Sequence, residues 1–209
     1  LAPKKGGRWF GKLPERGDIV VLEHPVSRID YIKRVIGLPG DTIELRNGEL
    51  SINGKPVKRA IQPMLAIPVD PNLPGPDSSL QRFITRGADG KAALELPIVR
   101  ETLPGGATFD TIDMGPGYTT DDYGPVTVPT DHLFLMGDNR DGSADSRVST
   151  MQKGLGGPVP FDAIAGRAEI ISFSTDGTAE WYNPLSWFSA LRSGRAGTDL
   201  RPERDTKTK

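Results

Sequence analysis

The chain has 209 residues and a formal net charge of -1, so it is long enough to bury a sizeable core and no global field favours nucleic acid. Its 25 Gly and 19 Pro against 36% hydrophobic residues point to short strands joined by many turns. With no cysteine there is no disulfide or thiolate metal site, and His24 and His132 lie too far apart in sequence for a multi-histidine centre, so neither metal nor cofactor is expected. No signal-peptide pattern is seen, and no apolar run approaches the roughly 18 residues that a spanning helix needs. The first residue is Leu1 rather than Met, which reads as a processed start or a piece of something longer.

Residues 1–15, with Pro3, Lys4, Lys5, Gly6 and Gly7, read as a loose entry segment. Arg16-Gly17-Asp18 then leads into Ile19-Val20-Val21-Leu22, a nearly continuous apolar run expected as a strand buried on both faces. The Arg-Gly-Asp tripeptide serves adhesion elsewhere, but here it abuts a core strand and no binding role is expected of it. Pro25 ends that strand. The next, Ile29 to Ile36, alternates faces: Ile29, Tyr31, Lys33 and Val35 on one, Asp30, Ile32, Arg34 and Ile36 on the other. Lys33 therefore stands in a row of large apolar neighbours. Two readings are open. Poor solvation pulls a lysine pKa down and makes the amine a usable base; alternatively the side chain snorkels its head back to water.

Leu38-Pro39-Gly40-Asp41 places Pro and Gly at the centre of a type II turn. Strands 42–46 and 49–52 are joined by Asn47-Gly48, a strong hairpin signal, and Asn53-Gly54 turns into Lys55-Pro56-Val57, where Pro56 argues for a sheet edge. From 60 to 125 the character changes. Pro63, Pro68, Pro71, Pro74 and Pro76 interrupt regular structure, as do Gly105-Gly106 and Gly115-Pro116-Gly117, while Arg82-Phe83-Ile84-Thr85 and Leu94-Glu95-Leu96 read as short strands around Asp89-Gly90. This stretch is expected as a β-rich, loop-rich insertion in a β core made of 16–59 and 126–175.

The core resumes with a buried strand, Asp131-His132-Leu133-Phe134-Leu135-Met136, running into Gly137-Asp138-Asn139-Arg140-Asp141-Gly142-Ser143-Ala144-Asp145-Ser146-Arg147. Clustered acids around a glycine raise the question of calcium. An EF-hand loop with Gly142 sixth would begin at Gly137 and end at Val148, where acids are required, so calcium is not expected. The stretch reads instead as a polar turn with Asx hydrogen bonds and Asp–Arg pairs drawn from Asp138, Arg140, Asp145 and Arg147. Residues 167–173 give a last strand, and 176–209 a C-terminal segment, partly disordered from about Ser193. Within it, Trp181 to Arg192 reads as containing a short helix from Pro184. Its broad apolar arc beside Arg192 and Arg195 suits either a membrane headgroup interface or packing on the core.

Arg16-Gly17-Asp18-Ile19-Val20-Val21, Tyr31-Ile32-Lys33-Arg34-Val35-Ile36-Gly37-Leu38-Pro39-Gly40-Asp41 and the 137–147 stretch occur in the order of three successive boxes of the bacterial type I signal peptidases, which the chain resembles. The resemblance implies a mainly β fold with an antiparallel catalytic core. It also implies a membrane-anchored serine endopeptidase on the outer side of the inner membrane, cutting signal peptides from exported preproteins bound in extended form. By that resemblance Lys33 is the general base, Ser143 orients it by a hydrogen bond, and Asp145 and Arg147 are a supporting ion pair. The chemistry is coherent, because a serine hydroxyl attacks poorly until a base takes its proton, and a neutral amine can do so.

The family's nucleophile lies in a Pro-x-Gly-Ser-Met-x-Pro-like segment ahead of the Arg-Gly-Asp box. Residues 1–15 hold no serine, and no Ser-Met pair occurs elsewhere. The expectation is that the nucleophile and the anchoring helix belong to a preceding segment and that the chain as written is inactive; natural loss, a pseudoenzyme, is the alternative. The rival functional readings are a non-catalytic β domain that binds extended peptides along a strand edge, and another Ser-Lys peptidase such as a self-cleaving repressor.

Overall fold

The computed structural model describes residues 13–69, 79–87, 90–171 and 197–204. The entry segment before residue 13 and the Trp181 to Arg192 stretch lie outside the described residues. The chain divides into two compact units, one of 1–61, 99–168 and 201–209, the other of 62–98 and 169–200. The fold is mainly β with antiparallel sheets, as the short alternating runs and turn residues demand.

Strand β1 (Ile19–Glu23) turns into β2 (Asp30–Gly37), with Ile19 opposite Arg34 and Val20 opposite Lys33. The Pro39-Gly40 turn has type II features: Gly40 sits at φ +86° and the Asp41 N–H donates to Leu38 O at 3.0 Å. Strands β3 (Thr42–Arg46) and β4 (Glu49–Ile52) form a hairpin whose Asn47 and Gly48 both take positive φ, 49° and 79°, as a type I′ turn requires. Next, β5 (Lys55–Pro56) is the edge of that sheet, where a proline's missing donor does least harm. They are followed by β6 (Lys58–Pro68), β7 (Ile84–Arg86), β8 (Ala92–Thr102), β9 (Ala107–Ile112), β10 (Tyr123–Thr127) and β11 (His132–Met136). The last three are β12 (Val159–Pro160), β13 (Ile164–Ala168) and β14 (Glu203–Arg204).

In the first unit one sheet has the order β12-β11-β2-β1-β13 and a second β10-β3-β4-β5, while β14 pairs with β9. The second unit holds β7 against the start of β8, Ile84 opposite Leu94. The strand expected from Arg82 begins later, because a 3-10 turn occupies Ser79–Phe83. The last core strand likewise differs from its expected span of 167–173. It starts at Ile164, which enters the core opposite Leu22, whereas Ile170 is 61% exposed.

The central strands β2 and β11 feed two cores by simple alternation. Val35, Leu133 and Leu135 join Val20, Leu22, Leu155, Val159 and Ile164 on one face of the sheet. Ile36, Phe134 and Met136 face the other way and pack with Ile43, Leu45, Leu50 and Ile52 of the second sheet and with Phe109. The Arg-Gly-Asp stretch is a brace on this frame. Arg16 donates to Ile36 O at 2.6 Å and pairs with Asp41 at 2.8 Å; buried Asp18 accepts from the Glu15 N–H at 2.9 Å and from Arg204 at 3.0 Å.

Gly37, at the end of β2, sits where the two sheets meet: an added Cβ would lie 2.9 Å from both Ile43 Cδ1 and Phe134 Cβ. Gly37→Ala is therefore expected to destabilise the chain by about 1–3 kcal/mol through overpacking, read as a lowered urea midpoint. A wild-type midpoint would show that the two sheets can part at no cost.

Candidate active site

The ladder between β11 and β2 ends at Met136 opposite Arg34, so the next residue, Gly137, leaves the sheet beside Lys33. A Cβ on Gly137 would lie 3.8 Å from Lys33 Nζ and 2.1 Å from Ser143 Oγ. The missing side chain is the room in which the amine and the hydroxyl come together. The expected hydrogen bond between them is not formed: the Ser143 hydroxyl is buried and has no partner among the described residues.

Lys33 has fully buried Val20 opposite it and fully buried Val35 two residues on, and its Nζ stands 5.1 Å from the Tyr31 ring centroid. Ile29, placed in the same row by the alternation, is 61% exposed and adds little. Burial lowers the Lys33 amine from its ordinary value of 10.5; Asp145 opposes this, Arg147 reinforces it, and Asp138 opposes it.

The loop after Gly137 is folded around one carboxylate. Asp145 is fully buried and accepts four hydrogen bonds: from the Gly137 N–H at 3.0 Å, the Arg147 N–H at 3.0 Å, Arg147 Nε at 3.0 Å and Arg147 Nη2 at 2.8 Å. Burial alone would push this carboxyl up, but the guanidinium and the two backbone donors hold it below the usual carboxylate value. Arg147 Nη2 also reaches Arg140 O at 2.5 Å and Nη1 reaches Thr120 O at 3.3 Å. Ser146 ties the loop to β11: its N–H donates to Leu135 O at 3.1 Å and its hydroxyl accepts from the Leu135 N–H at 3.0 Å.

Arg34, adjacent to Lys33, faces the opposite core. It grips Asp138 with two bonds of 2.7 and 2.6 Å, donates to Gly17 O at 2.8 Å and stacks 4.1 Å above the Phe109 ring. Asp138 is thus partnered by Arg34. Arg140 pairs instead with Glu101 at 2.5 Å, both nearly sealed from water. Sequence reasoning did not single out Glu101, and the reason is visible in β8. Leu94, Leu96 and Ile98 point inward at even positions, then Val99 and Glu101 do so at odd ones. The inward parity switches at Ile98–Val99, so strict alternation would have turned Glu101 outward. Among the described residues no group of three or more His, Cys, Asp or Glu is arranged to hold a metal ion.

Comparison with known proteins bears on this site. A family model described as signal peptidase, peptidase S26, matches residues 5–173. Signal peptidase I of Rickettsia typhi (strain ATCC VR-144 / Wilmington) is 37% identical over 93% of this chain and 69% of its own length. That of Rickettsia prowazekii (strain Madrid E) is 36% identical over the same shares, 93% and 69%. A crystal structure of a signal peptidase I from Enterococcus faecalis V583 covers 75% of this chain and 97% of its own at 24% identity. Its TM-score is 0.38, too loose a superposition to carry an argument.

Two outcomes follow from the electrostatics. Since the folded value of Lys33 is lowered, the unfolded chain binds more protons there between that value and 10.5, and stability rises with pH across this window. Below the window the cost of the half-buried charge is fully present. Lys33→Met is expected to be more resistant to urea than the wild type at pH 7, with the gap closing as the pH approaches 10.5; a gap independent of pH would contradict the lowered value. Arg147→Ala leaves the Asp145 carboxylate buried without its counter-charge and is expected to cost about 3–5 kcal/mol by denaturant titration.

Proposed function

Because the chain belongs to the signal peptidases of peptidase family S26, we propose that it carries the base half of a Ser/Lys endopeptidase that removes signal peptides from exported preproteins. One observation carries the reading: an amine lowered by burial and a buried, partnerless serine hydroxyl share the space left by Gly137. In this mechanism the neutral Lys33 amine accepts the proton of a serine hydroxyl as its oxygen attacks the scissile carbonyl carbon. The ammonium then returns that proton to the departing amine, and water hydrolyses the acyl-enzyme with the amine again as base. In the working enzyme the Ser143 hydroxyl, unpartnered among the described residues, closes its hydrogen bond on the Lys33 amine, and the Asp145–Arg147 pair sets the path of the loop that carries Ser143. The nucleophile is the serine of a Gly-Ser-Met segment joined ahead of the Arg-Gly-Asp box; no serine of this sequence carries that motif. Preproteins bind in extended form at the outer face of the inner membrane. Among the described residues, no helix is long and apolar enough to cross a membrane.

The test compares residues 1–209 with the same chain extended at its N-terminus by a segment bearing the Gly-Ser-Met motif, each incubated with a preprotein and its products sequenced. The extended chain is expected to cut at the signal junction and the shorter one not to. Lys33→Ala should abolish cleavage, while Ser143→Ala should slow it roughly 10–100-fold, as for a hydrogen bond worth about 1.5–3 kcal/mol. Near-full activity in a folded Lys33→Ala protein would sink the mechanism. Cleavage by the shorter chain would make Ser143 or Ser27 the first nucleophiles to consider.

A further inference from the structure

The turn between β1 and β2 contains a histidine that the mechanism does not use. His24 is 1% exposed. Its Nδ1 lies 3.2 Å from the Val26 N–H and 3.0 Å from the Ser27 N–H, both of which donate to it. The ring proton therefore sits on Nε2, which donates to Gly154 O at 2.9 Å. The imidazole packs on the Tyr31 ring, centroids 4.8 Å apart, and the Tyr31 hydroxyl donates to Lys153 O at 2.9 Å. The same Tyr31 ring is the one that stands 5.1 Å from Lys33 Nζ.

The loop that receives these two bonds is firm. The Gly154 N–H donates to Ser149 O at 2.9 Å, and a Cβ on Gly154 would lie 2.1 Å from Val148 O, so no larger residue fits there. The Leu155 N–H donates to Asp145 O at 2.9 Å, and the Leu155 side chain is buried. The strand bearing Lys33 and the loop bearing Ser143 and Asp145 are thus joined a second time, through His24 and Tyr31 on one side and Lys153 to Leu155 on the other.

We propose that His24 is a positioning residue for Lys33, stapling the β1–β2 turn to Lys153 and Gly154 and so holding the Tyr31 ring against the amine. The inference rests on the reading of Lys33 as the base, but it concerns how the amine is kept from water and not whether a peptide is cut. Tyr31 acts on Lys33 in two opposed ways. Its ring face attracts a cation, a small effect at a half-exposed site, while its bulk excludes water, and burial is the leading influence on this amine. Burial wins, so loosening the staple lets water in and moves the amine back toward ordinary lysine behaviour.

The experiment follows the titration of Lys33 in the full 209-residue chain by NMR of carbon-labelled lysine, the signal being assigned by its loss in Lys33→Met. His24→Ala and His24→Asn are each expected to raise the midpoint by about one pH unit. His24→Gln, which keeps a donor for Gly154 O, should raise it less, and Tyr31→Phe, which keeps the ring but loses the bond to Lys153, should also raise it. His24→Asn retains an acceptor for the Val26 and Ser27 N–H groups. A role confined to shaping the turn would therefore leave its midpoint at the wild-type value, and that result in the folded variant overturns the staple. Should His24→Ala fail to fold, His24→Asn and Tyr31→Phe decide. A wild-type midpoint at the ordinary lysine value of 10.5 would remove the base itself, and the staple with it.

Discussion

The buried ion pair of Asp145 and Arg147, with side chains 0% and 1% exposed, is the constraint on which the site depends. A carboxylate this deep needs every lone pair answered, and the chain answers with two backbone N–H groups and a guanidinium fork. Because one of those donors is Gly137 and the fork also grips Arg140 O, the pair dictates the path of the whole loop. Such a pair adds little net stability over an apolar filling of the same volume. What it supplies is one unique loop geometry, and Ser143 takes its position from that geometry.

The second constraint is the pleat of β2. Two adjacent cations, Lys33 and Arg34, face opposite cores, and their surroundings treat them differently. Arg34 receives a bidentate carboxylate and an aromatic face, so its charge is fully met. Lys33 receives apolar neighbours and only remote carboxylates, so its charge is met poorly. One residue is a structural pin and the other an amine whose charge burial disfavours, and the difference lies in which face of the strand each occupies.

This contrast explains what could be read in the sequence. Turns were legible because Asn47-Gly48 and Pro39-Gly40 fix backbone angles locally. The facing of Lys33 was legible because burial alternates over Asp30–Lys33 and Val35 and Ile36 enter different cores. Other parts were hidden for identifiable reasons. The partners of Arg34 and Arg140 are 104 and 39 residues away in the chain, and no local pattern pairs them. Glu101 lies beyond a parity switch, and Phe109 is an unremarkable apolar residue until two guanidinium groups, those of Arg34 and Arg140, approach its ring. His24 reads in sequence as half of an unsupported metal pair, and its contacts with Tyr31 and Gly154 exist only once β1, β2 and the 148–157 loop have met.

Four of the cations that brace this frame, Arg16, Arg34, Arg140 and Arg147, are arginine, and the cation left among apolar neighbours is a lysine. Guanidinium keeps its proton under conditions that strip an amine. An alkaline medium can therefore discharge the Lys33 amine without loosening the charge pairs around it. The choice of side chain separates the proton most easily lost from the protons that maintain architecture, and a lysine in place of any of the four arginines would blur that separation.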